Sequence, residues 1–195
     1  MNRQILAAFT ILLFALAITG YAYSHWQEAL NIQGTIKMAK TKIIIQNHNT
    51  TLEITETTDH TLKLNGTITP SQTLWTGITI KNDGTTPTTI TLSITTNDIS
   101  TEIYFSNQTH FYGPYTVIPP EVWESATTMP PPSGSTTPPP ELPAQNMLVI
   151  WQNITLSGTP PEPFAIEITA TYTATFQSWT DTVSVTYTLT YQGEP

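Results

Sequence analysis

The sequence predicts an all-β protein: a single antiparallel β-sandwich of jelly-roll type, preceded by an N-terminal hydrophobic segment. Three observations lead to this class. Apolar and polar residues alternate in several short segments, which is the period of a strand with one buried face. Threonine, which is β-branched and favours strands, makes up about a fifth of the chain. Beyond the N-terminal segment, no stretch has the apolar spacing of an amphipathic helix.

Residues 1–22 have the pattern of a secretory signal peptide. Asn2-Arg3 is a short basic start, Ile5 to Ile18 is an apolar run broken by one threonine, and Gly20-Tyr21-Ala22 supplies small residues at a cleavage site. We therefore expect cleavage at the end of this segment and an extracellular or cell-surface location. A retained membrane anchor is the alternative, since the apolar run with its flanks is long enough to reach across a bilayer.

Residues 23–38 follow as a predicted extended strand. Within WQEALNIQGTI one parity is mostly apolar and the other mostly polar, and the first set contains Trp26, Leu30, Ile32, Gly34 and Ile36. A glycine at this point would allow a neighbouring backbone to approach closely. Two interpretations fit such a strand. It forms an edge strand in its own sheet, or it covers the core of another subunit.

Residues 39–195 are predicted to form the sandwich. Further strands are indicated around residues 43–45, 52–54, 62–64, 74–80, 90–94, 164–176 and 183–191. We expect tight turns at Asn65-Gly66, a hairpin-type dipeptide, and at Asn82-Asp83-Gly84, after which residues 90–94 would return as the next strand.

Nine of the 16 prolines lie within residues 119–143. Proline has no amide hydrogen, so this stretch cannot run through the interior of a sheet. We predict that it forms an extended, semi-rigid insertion loop of one domain. A linker between two domains is the alternative.

Charge is sparse and unevenly distributed. Charged residues make up 10% of the chain, all six basic residues lie at or before Lys81, and ten acidic residues follow it. Binding to nucleic acid or anionic lipid needs clustered lysine and arginine. We therefore predict no nucleic-acid partner, and membrane contact only through an uncleaved N-terminal segment. Cysteine is absent, so stability must come from packing and hydrogen bonds.

No motif of catalytic chemistry is visible in the sequence. The four histidines lack metal-site spacing, a thiol nucleophile is excluded, and neither a Gly-x-Ser-x-Gly elbow nor a phosphate loop occurs. The aspartates near predicted turns do not match the spacing of a calcium loop. We predict that the protein is not an enzyme and uses no cofactor or metal.

Two kinds of candidate site remain. Four Asn-x-Ser/Thr sequons are glycosylation candidates in an exported protein, at Asn49, Asn65, Asn107 and Asn153. Exposed tryptophan rings on a β-sandwich can stack on sugars. Trp123, in the proline-rich loop, and Trp179, at a predicted turn, are the candidates for glycan stacking.

Two stretches carry a likeness to a known family. The first is Trp26-Gln-Glu-Ala-Leu-Asn-Ile-Gln-Gly34-Thr-Ile36, directly after the signal, and the second is Ile78-Thr-Ile-Lys-Asn82-Asp-Gly84-Thr-Thr-Pro87. They resemble the TasA and camelysin family, which includes archaeal bundling-pilus subunits, and the likeness covers about residues 15–95. The chain departs from many relatives at Lys37-Met38-Ala39-Lys40, where they have Thr-Gly, and in its proline-rich loop.

The resemblance implies a jelly-roll subunit of an extracellular filament, whose N-terminal strand inserts into a groove of the next subunit. Residues 24–38 would be the donor strand, with Trp26, Leu30, Ile32 and Ile36 as the side chains that fill the groove. Their burial would contribute about 10 kcal/mol per junction before ordering costs. The partners would be further copies of the chain in a head-to-tail polymer, with other surface proteins or glycans as additional partners.

A different class of function is the alternative. The protein would then be a secreted or membrane-anchored monomeric module that binds glycans or a cell-surface polymer. Some camelysin relatives are described as peptidases, but no metal or nucleophile motif in this sequence supports that activity here.

Overall fold

The computed structural model describes residues 3–28, 39–70, 72–97, 104–124, 134–158 and 164–192. The chain divides into two compact units, Met1–Met38 and Ala39–Pro195. The N-terminal unit contains helix α1 (Arg3–Glu28), which exposes large apolar side chains such as Phe9, Leu13 and Ile18. Within the described residues, no helix combines the length and the hydropathy that a membrane span requires.

The first residues of the predicted donor strand are helical instead. Residues 24–28, including Trp26, continue α1 to Glu28. Proline is absent from residues 3–28, so a helix that begins in the apolar run can add one hydrogen bond per residue through this stretch. The other candidate donor residues, Leu30, Ile32, Gly34 and Ile36, lie outside the described residues.

The second unit is a sandwich of two β-sheets, which confirms the predicted all-β class. Sheet A has the strand order β1 (Ile43–Thr50), β4 (Thr73–Asn82), β7 (Met147–Ser157) and β6 (Tyr104–Tyr115). Sheet B has the order β2 (Glu53–Thr57), β3 (Thr61–Ile68), β9 (Trp179–Tyr191), β8 (Ala165–Phe176) and β5 (Thr89–Thr96). Neighbouring strands are antiparallel except β3 and β9, which are parallel along eight residue pairs.

The strand order is closer to the immunoglobulin-type sandwich than to a jelly roll. Strands β1, β4, β7 and β6 in one sheet, with β9, β8 and β5 in the other, reproduce the connections of the seven-stranded immunoglobulin arrangement. The β2–β3 hairpin adds two strands beside β9. Because β4 and β5 belong to different sheets, Asn82-Asp83-Gly84 leads the chain across the sandwich and does not close a hairpin. Alternation alone cannot distinguish these topologies, since both place one face of each strand in the core.

The core forms where the inner faces of the two sheets meet. Strand β8 buries every second residue, from Ile166 to Ala174, and β9 does the same from Val183 to Tyr191. Threonine and serine occupy most of the positions between them. Each apolar side chain of this size contributes about 1.5–3 kcal/mol when it is fully buried.

Strand β3 runs through the predicted Asn65-Gly66 turn and ends at Ile68. The glycine gives room to the Leu52 side chain, whose terminal methyl group a Cβ atom at residue 66 would overlap unless that side chain moved. A dipeptide that favours a turn in isolation is thus held extended by its neighbours in sheet B.

The described parts of the proline-rich region pack against the sandwich. A single helical turn, α2 (Pro120–Glu124), follows β6, Ser135 pairs with Phe111 of β6, and Leu142 pairs with Thr88 and is fully buried. Burial of apolar side chains such as that of Leu142 contributes free energy to this packing. Residues 125–133 lie outside the described residues, so the extended insertion loop stays a prediction.

Candidate assembly and binding surfaces

The described residues contain no group of histidine and acidic side chains arranged for a metal ion. His60 Nε2 lies 3.5 Å from Asp181 Oδ2. The same carboxylate oxygen accepts a hydrogen bond from the Ile43 N–H at 2.8 Å. Asp181 therefore joins the start of β1 in sheet A to β9 in sheet B, which is a structural role.

The sandwich fills its core with its own strands. The last strand, β9, lies in the middle of sheet B between β3 and β8, and its inner residues Val183, Val185 and Leu189 are at most 1% exposed. The described residues therefore leave no vacant position in the middle of sheet B. A strand from another copy would therefore have to add to the edge of a sheet.

The outer edge of β1 is closed by hydrogen bonds. The N–H groups of Ile43 and Ile45 donate to Asp181 Oδ2 at 2.8 Å and to the Asp59 carbonyl at 2.7 Å. The His48 N–H donates to Asn47 Oδ1 at 2.9 Å. The pairing with β4 also shifts register between residues 45 and 47. Bulges and satisfied amide groups of this kind prevent another strand from adding to an edge.

Strands β2 and β6 have edges that are protected in other ways. Strand β2 has only five residues, its register shifts between Ile54 and Glu56, and Glu56 Oε2 pairs with Lys63 Nζ at 2.6 Å. Strand β6 is protected in its last part, where it contains Pro114 and where Phe111 exchanges two backbone hydrogen bonds of 2.7 and 3.2 Å with Ser135; its earlier residues pair with β7 without a register shift. Charge, short length, proline and a covering segment are the usual means by which edges are blocked.

Strand β5 has none of these protective features along its length. Its sequence TITLSITT contains no charged residue and no proline, and six of its eight residues are exposed. It pairs with β8 through eight consecutive residue pairs without a register shift. Within the described residues, no strand pairs with its other edge. Strand β5 is therefore regular and uncharged over all eight of its residues, and Leu142 exchanges two backbone hydrogen bonds with Thr88 directly before its first residue.

The outer face of sheet A carries a second apolar cluster. Tyr112, Val149 and Trp151 are buried there, and the Trp123 ring of α2 lies 6.1 Å from the Trp151 ring at 48°. Gly77 of β4 provides the space, because a Cβ atom at that residue would lie 2.6 Å from the Trp151 ring. Trp123 is thus partly buried by packing, whereas Trp179 is 64% exposed beside the turn between β8 and β9.

The four sequon asparagines differ in how accessible they are. Asn49 in β1, Asn65 in β3 and Asn153 in β7 are half-buried. Asn65 also lines an open groove of about 300 Å³ between the β1–β2 turn and β4. In Asn107 the Nδ2 atom, to which a glycan would be attached, is buried, and Oδ1 accepts a hydrogen bond from Gln152 Nε2 at 2.9 Å. Asn107 therefore faces the interior of the folded sandwich.

Asn107 belongs to a group of polar side chains that cross the core. The Tyr187 hydroxyl donates to Gln152 Oε1 at 3.0 Å, and the hydroxyl groups of Thr50 and Thr76 are 3.2 Å apart. The pKa of Tyr187 is raised above its ordinary value because the side chain is buried. A hydrogen bond with the Thr76 hydroxyl offsets a smaller part of that rise. These side-chain hydrogen bonds connect β9 to β7, β7 to β6, and β1 to β4.

The hydroxyl of Tyr172 is fully buried and forms no hydrogen bond of normal geometry within the part of the chain that the structure describes, although the Thr109 hydroxyl lies beside it. Burial also raises the pKa of this phenol. None of the sequence patterns indicated these interior polar residues, because polar residues at strand positions are normally assigned to the solvent face.

No family model matches the sequence, and no curated protein matches it either. Among solved structures, PapD-like domain 7 of human CEP192 is similar at 12% identity and a TM-score of 0.40, over 85% of this chain and 99% of that one. A family 123 glycoside hydrolase from Clostridium perfringens is similar at 13% identity and a TM-score of 0.39, over 68% of this chain, which spans 23% of the hydrolase.

The CooA pilin subunit from enterotoxigenic Escherichia coli is also similar, at 10% identity and a TM-score of 0.34. The match covers 70% of this chain and 91% of the pilin. Likenesses as weak as these carry no conclusion about function.

Proposed function

We propose that this protein is a non-enzymatic structural subunit of a cell-surface filament, in which residues 29–38 of one copy add as a strand to a sheet of the next copy. The observation that carries the proposal is that β5 is a regular edge of the sandwich along which, among the described residues, no second strand pairs. The signal-type N-terminus supports export, and cleavage after Ala22 would leave the segment at the start of the exported chain.

The chemistry of the segment suits this role. Leu30, Ile32 and Ile36 share one parity, with polar residues between them. An added strand gains backbone hydrogen bonds along the edge and buries its apolar face. Three such side chains would contribute roughly 5–9 kcal/mol before ordering costs. Because donor and acceptor are different surfaces of one chain, the contact repeats head to tail and produces an open filament.

Two chains test the proposal, one spanning residues 23–195 and one spanning residues 39–195. The buried core consists of residues between Ile43 and Tyr191, so both chains keep it. We expect filaments from the longer chain and monomers from the shorter one, by size-exclusion chromatography and negative-stain electron microscopy. If the longer chain remains monomeric over a wide range of concentration and temperature, the proposal is wrong.

A glycan-binding module is the second candidate, and one observation favours it. The ring of Trp179 is 64% exposed beside the turn between β8 and β9, where a sugar could stack on it. Under this alternative, Trp179→Ala abolishes binding to a glycan array without changing the melting temperature. Trp123→Ala is the comparison variant, because its ring packs on Trp151 and its loss should lower stability.

A further inference from the structure

We infer that the acceptor for the added strand is the outer edge of β5, so that residues 29–38 of one copy extend sheet B of the next copy beyond β5. This inference rests on the proposed function and specifies its contact. Among the described residues the edge strands are β1, β6, β2 and β5; β1 and β2 carry bulges or charges, β6 carries proline and hydrogen-bonded cover in its last part, and β5 carries none of these between Thr89 and Thr96. Pairing requires a straight row of accessible backbone groups, which β5 provides.

The side chains of β5 also favour an added strand. Ile90, Leu92 and Ile94 share the parity that faces the core, but exposure rises along the strand from 2% at Ile90 to 42% at Ile94. The sandwich therefore ends on this side with an apolar residue that is not covered. A neighbouring strand with inward-facing Leu and Ile residues would bury Ile94 and continue the core by one strand.

The segment fits this edge in length and in charge. Ten residues in extended conformation span about 33 Å, and the eight residues of β5 span about 27 Å. The segment carries Lys37 as its one charge, and β5 contains no charged residue, so no like charges oppose each other along this pair of strands.

Directly after residues 29–38, the chain enters the sandwich at a fixed point. The Lys40 N–H donates to Thr85 Oγ1 at 3.0 Å, and the Lys40 carbonyl accepts a hydrogen bond from the Thr85 N–H at 2.9 Å. Only Ala39 separates this anchored residue from the segment. A donated strand would therefore hold the two sandwiches in a defined orientation, as a regular filament requires.

Disulfide trapping tests the contact directly, because the native chain has no cysteine. One chain of residues 23–195 carries Gln33→Cys, and second chains carry Thr91→Cys, Ser93→Cys or Thr95→Cys on the outward face of β5. Paired strands bring such residues to about 4.5–5.5 Å, within reach of a disulfide. Each chain in the mixture carries a single cysteine. Every disulfide between residue 33 and a residue of β5 therefore joins two molecules.

We expect covalent dimers with at least one β5 partner and none with Thr55→Cys, which is exposed on β2, the rival edge of the same sheet. Crosslinking to Thr55→Cys instead would overturn the inference. Dimers formed by Ser93→Cys alone would show that β5 pairs with β5 of a second copy, which would also overturn it.

A charge variant provides an independent measurement. Thr91→Lys with Thr95→Lys places two lysines on the β5 edge, and Thr188→Lys with Thr190→Lys places two on the same sheet face in the central strand β9. We expect the β5 pair to reduce filament mass at least tenfold at equal protein concentration, and the β9 pair to leave it within twofold of wild type.

The outcomes separate the two proposals. If the β5 variant assembles like wild type, the acceptor lies elsewhere and the filament function stands. If wild type itself forms no filaments, both proposals are wrong. If both lysine pairs abolish assembly equally, the effect arises from charge in general, and β5 is not the acceptor.

Discussion

Two buried tyrosines allow the interior hydrogen bonds to be tested by substitutions of the same size. Tyr187→Phe and Tyr172→Phe each remove one oxygen atom from a side chain that is at most 1% exposed. Neither substitution creates a cavity that the other lacks. The difference between them is that the Tyr187 hydroxyl donates to Gln152 Oε1 at 3.0 Å, whereas the Tyr172 hydroxyl forms no hydrogen bond of normal geometry among the described residues and has the Thr109 hydroxyl beside it.

The expected effects therefore have opposite signs. Removing the Tyr187 hydroxyl leaves the Gln152 oxygen, in a residue 3% exposed, without that donor, and an unsatisfied buried acceptor costs about 1–3 kcal/mol. Removing the Tyr172 hydroxyl eliminates a buried group that lost its hydration without gaining a bond, so the free energy of unfolding should stay equal or rise by about 1 kcal/mol.

The assay is urea and thermal unfolding of the chain of residues 39–195, monitored by circular dichroism. For a domain of this size, 1 kcal/mol shifts the melting temperature by about 2–4 °C, so a difference of about 1–4 kcal/mol between the two variants corresponds to about 2–16 °C. If Tyr172→Phe destabilises as much as Tyr187→Phe, the Tyr172 hydroxyl has a bonded partner and the reasoning is refuted. A tryptophan fluorescence spectrum identical to wild type serves as the control for native packing.

Three further predictions follow from the described contacts. Gly77→Ala should cost about 1–3 kcal/mol in urea unfolding, because its Cβ atom would lie 2.6 Å from the Trp151 ring; unchanged stability would mean that the ring moves aside freely. The hydrogen bond from Lys42 lowers the pKa of Asp83 below its usual 3.8. The ion pair therefore contributes stability above that pH and loses it as pH falls through the lowered pKa. The advantage in melting temperature of wild type over Asp83→Asn should diminish as the pH falls below the usual 3.8 and through the lowered pKa, and a constant advantage would contradict the pairing. In a glycosylating host, mass spectrometry of the folded protein should find Asn107 unmodified, since its Nδ2 atom is buried; a modified Asn107 in folded protein would show that the β6 strand opens.

The strands that the sequence indicated most clearly are those with one face in the core and the other exposed to solvent. Strands β8 and β9 alternate between buried apolar residues and exposed or half-exposed polar ones, which is the pattern that alternation detects. Strand β7 was missed because Val149 and Trp151 are buried on its outer face while Leu148 and Ile150 are buried on its inner face. Covering both faces removes the alternation.

Strand β6 was missed for the opposite reason. Its inward positions include Asn107 and Thr109, which are polar, and no local pattern predicts that Gln152 of β7 will satisfy Asn107. The helical residues 24–28 show a similar limit, since their alternation is short enough to occur by chance within a helix.

The candidate acceptor edge could be predicted in part. The sequence identifies residues 90–94 as an uncharged strand, but whether a strand lies at an edge depends on how distant segments pair. Sheet B places β8 on one side of β5, and neither Thr91 nor Ser93 carries a local signal for the other side. Protection at the remaining edges likewise depends on long-range contacts such as Ser135 with Phe111.

The parallel ladder between β3 and β9 has a mechanical consequence. Its eight residue pairs run from Thr61 beside Ser184 to Ile68 beside Tyr191, so tension on the two chain ends pulls these strands past each other along their length. The force then acts on all the backbone hydrogen bonds between β3 and β9 at the same time, whereas in a hairpin pulled open from its ends these bonds break one after another. Once β1 and β2 have detached, the β3–β9 pair should resist sliding of one strand along the other. When a single molecule is stretched, the highest rupture force should accompany the separation of β3 from β9.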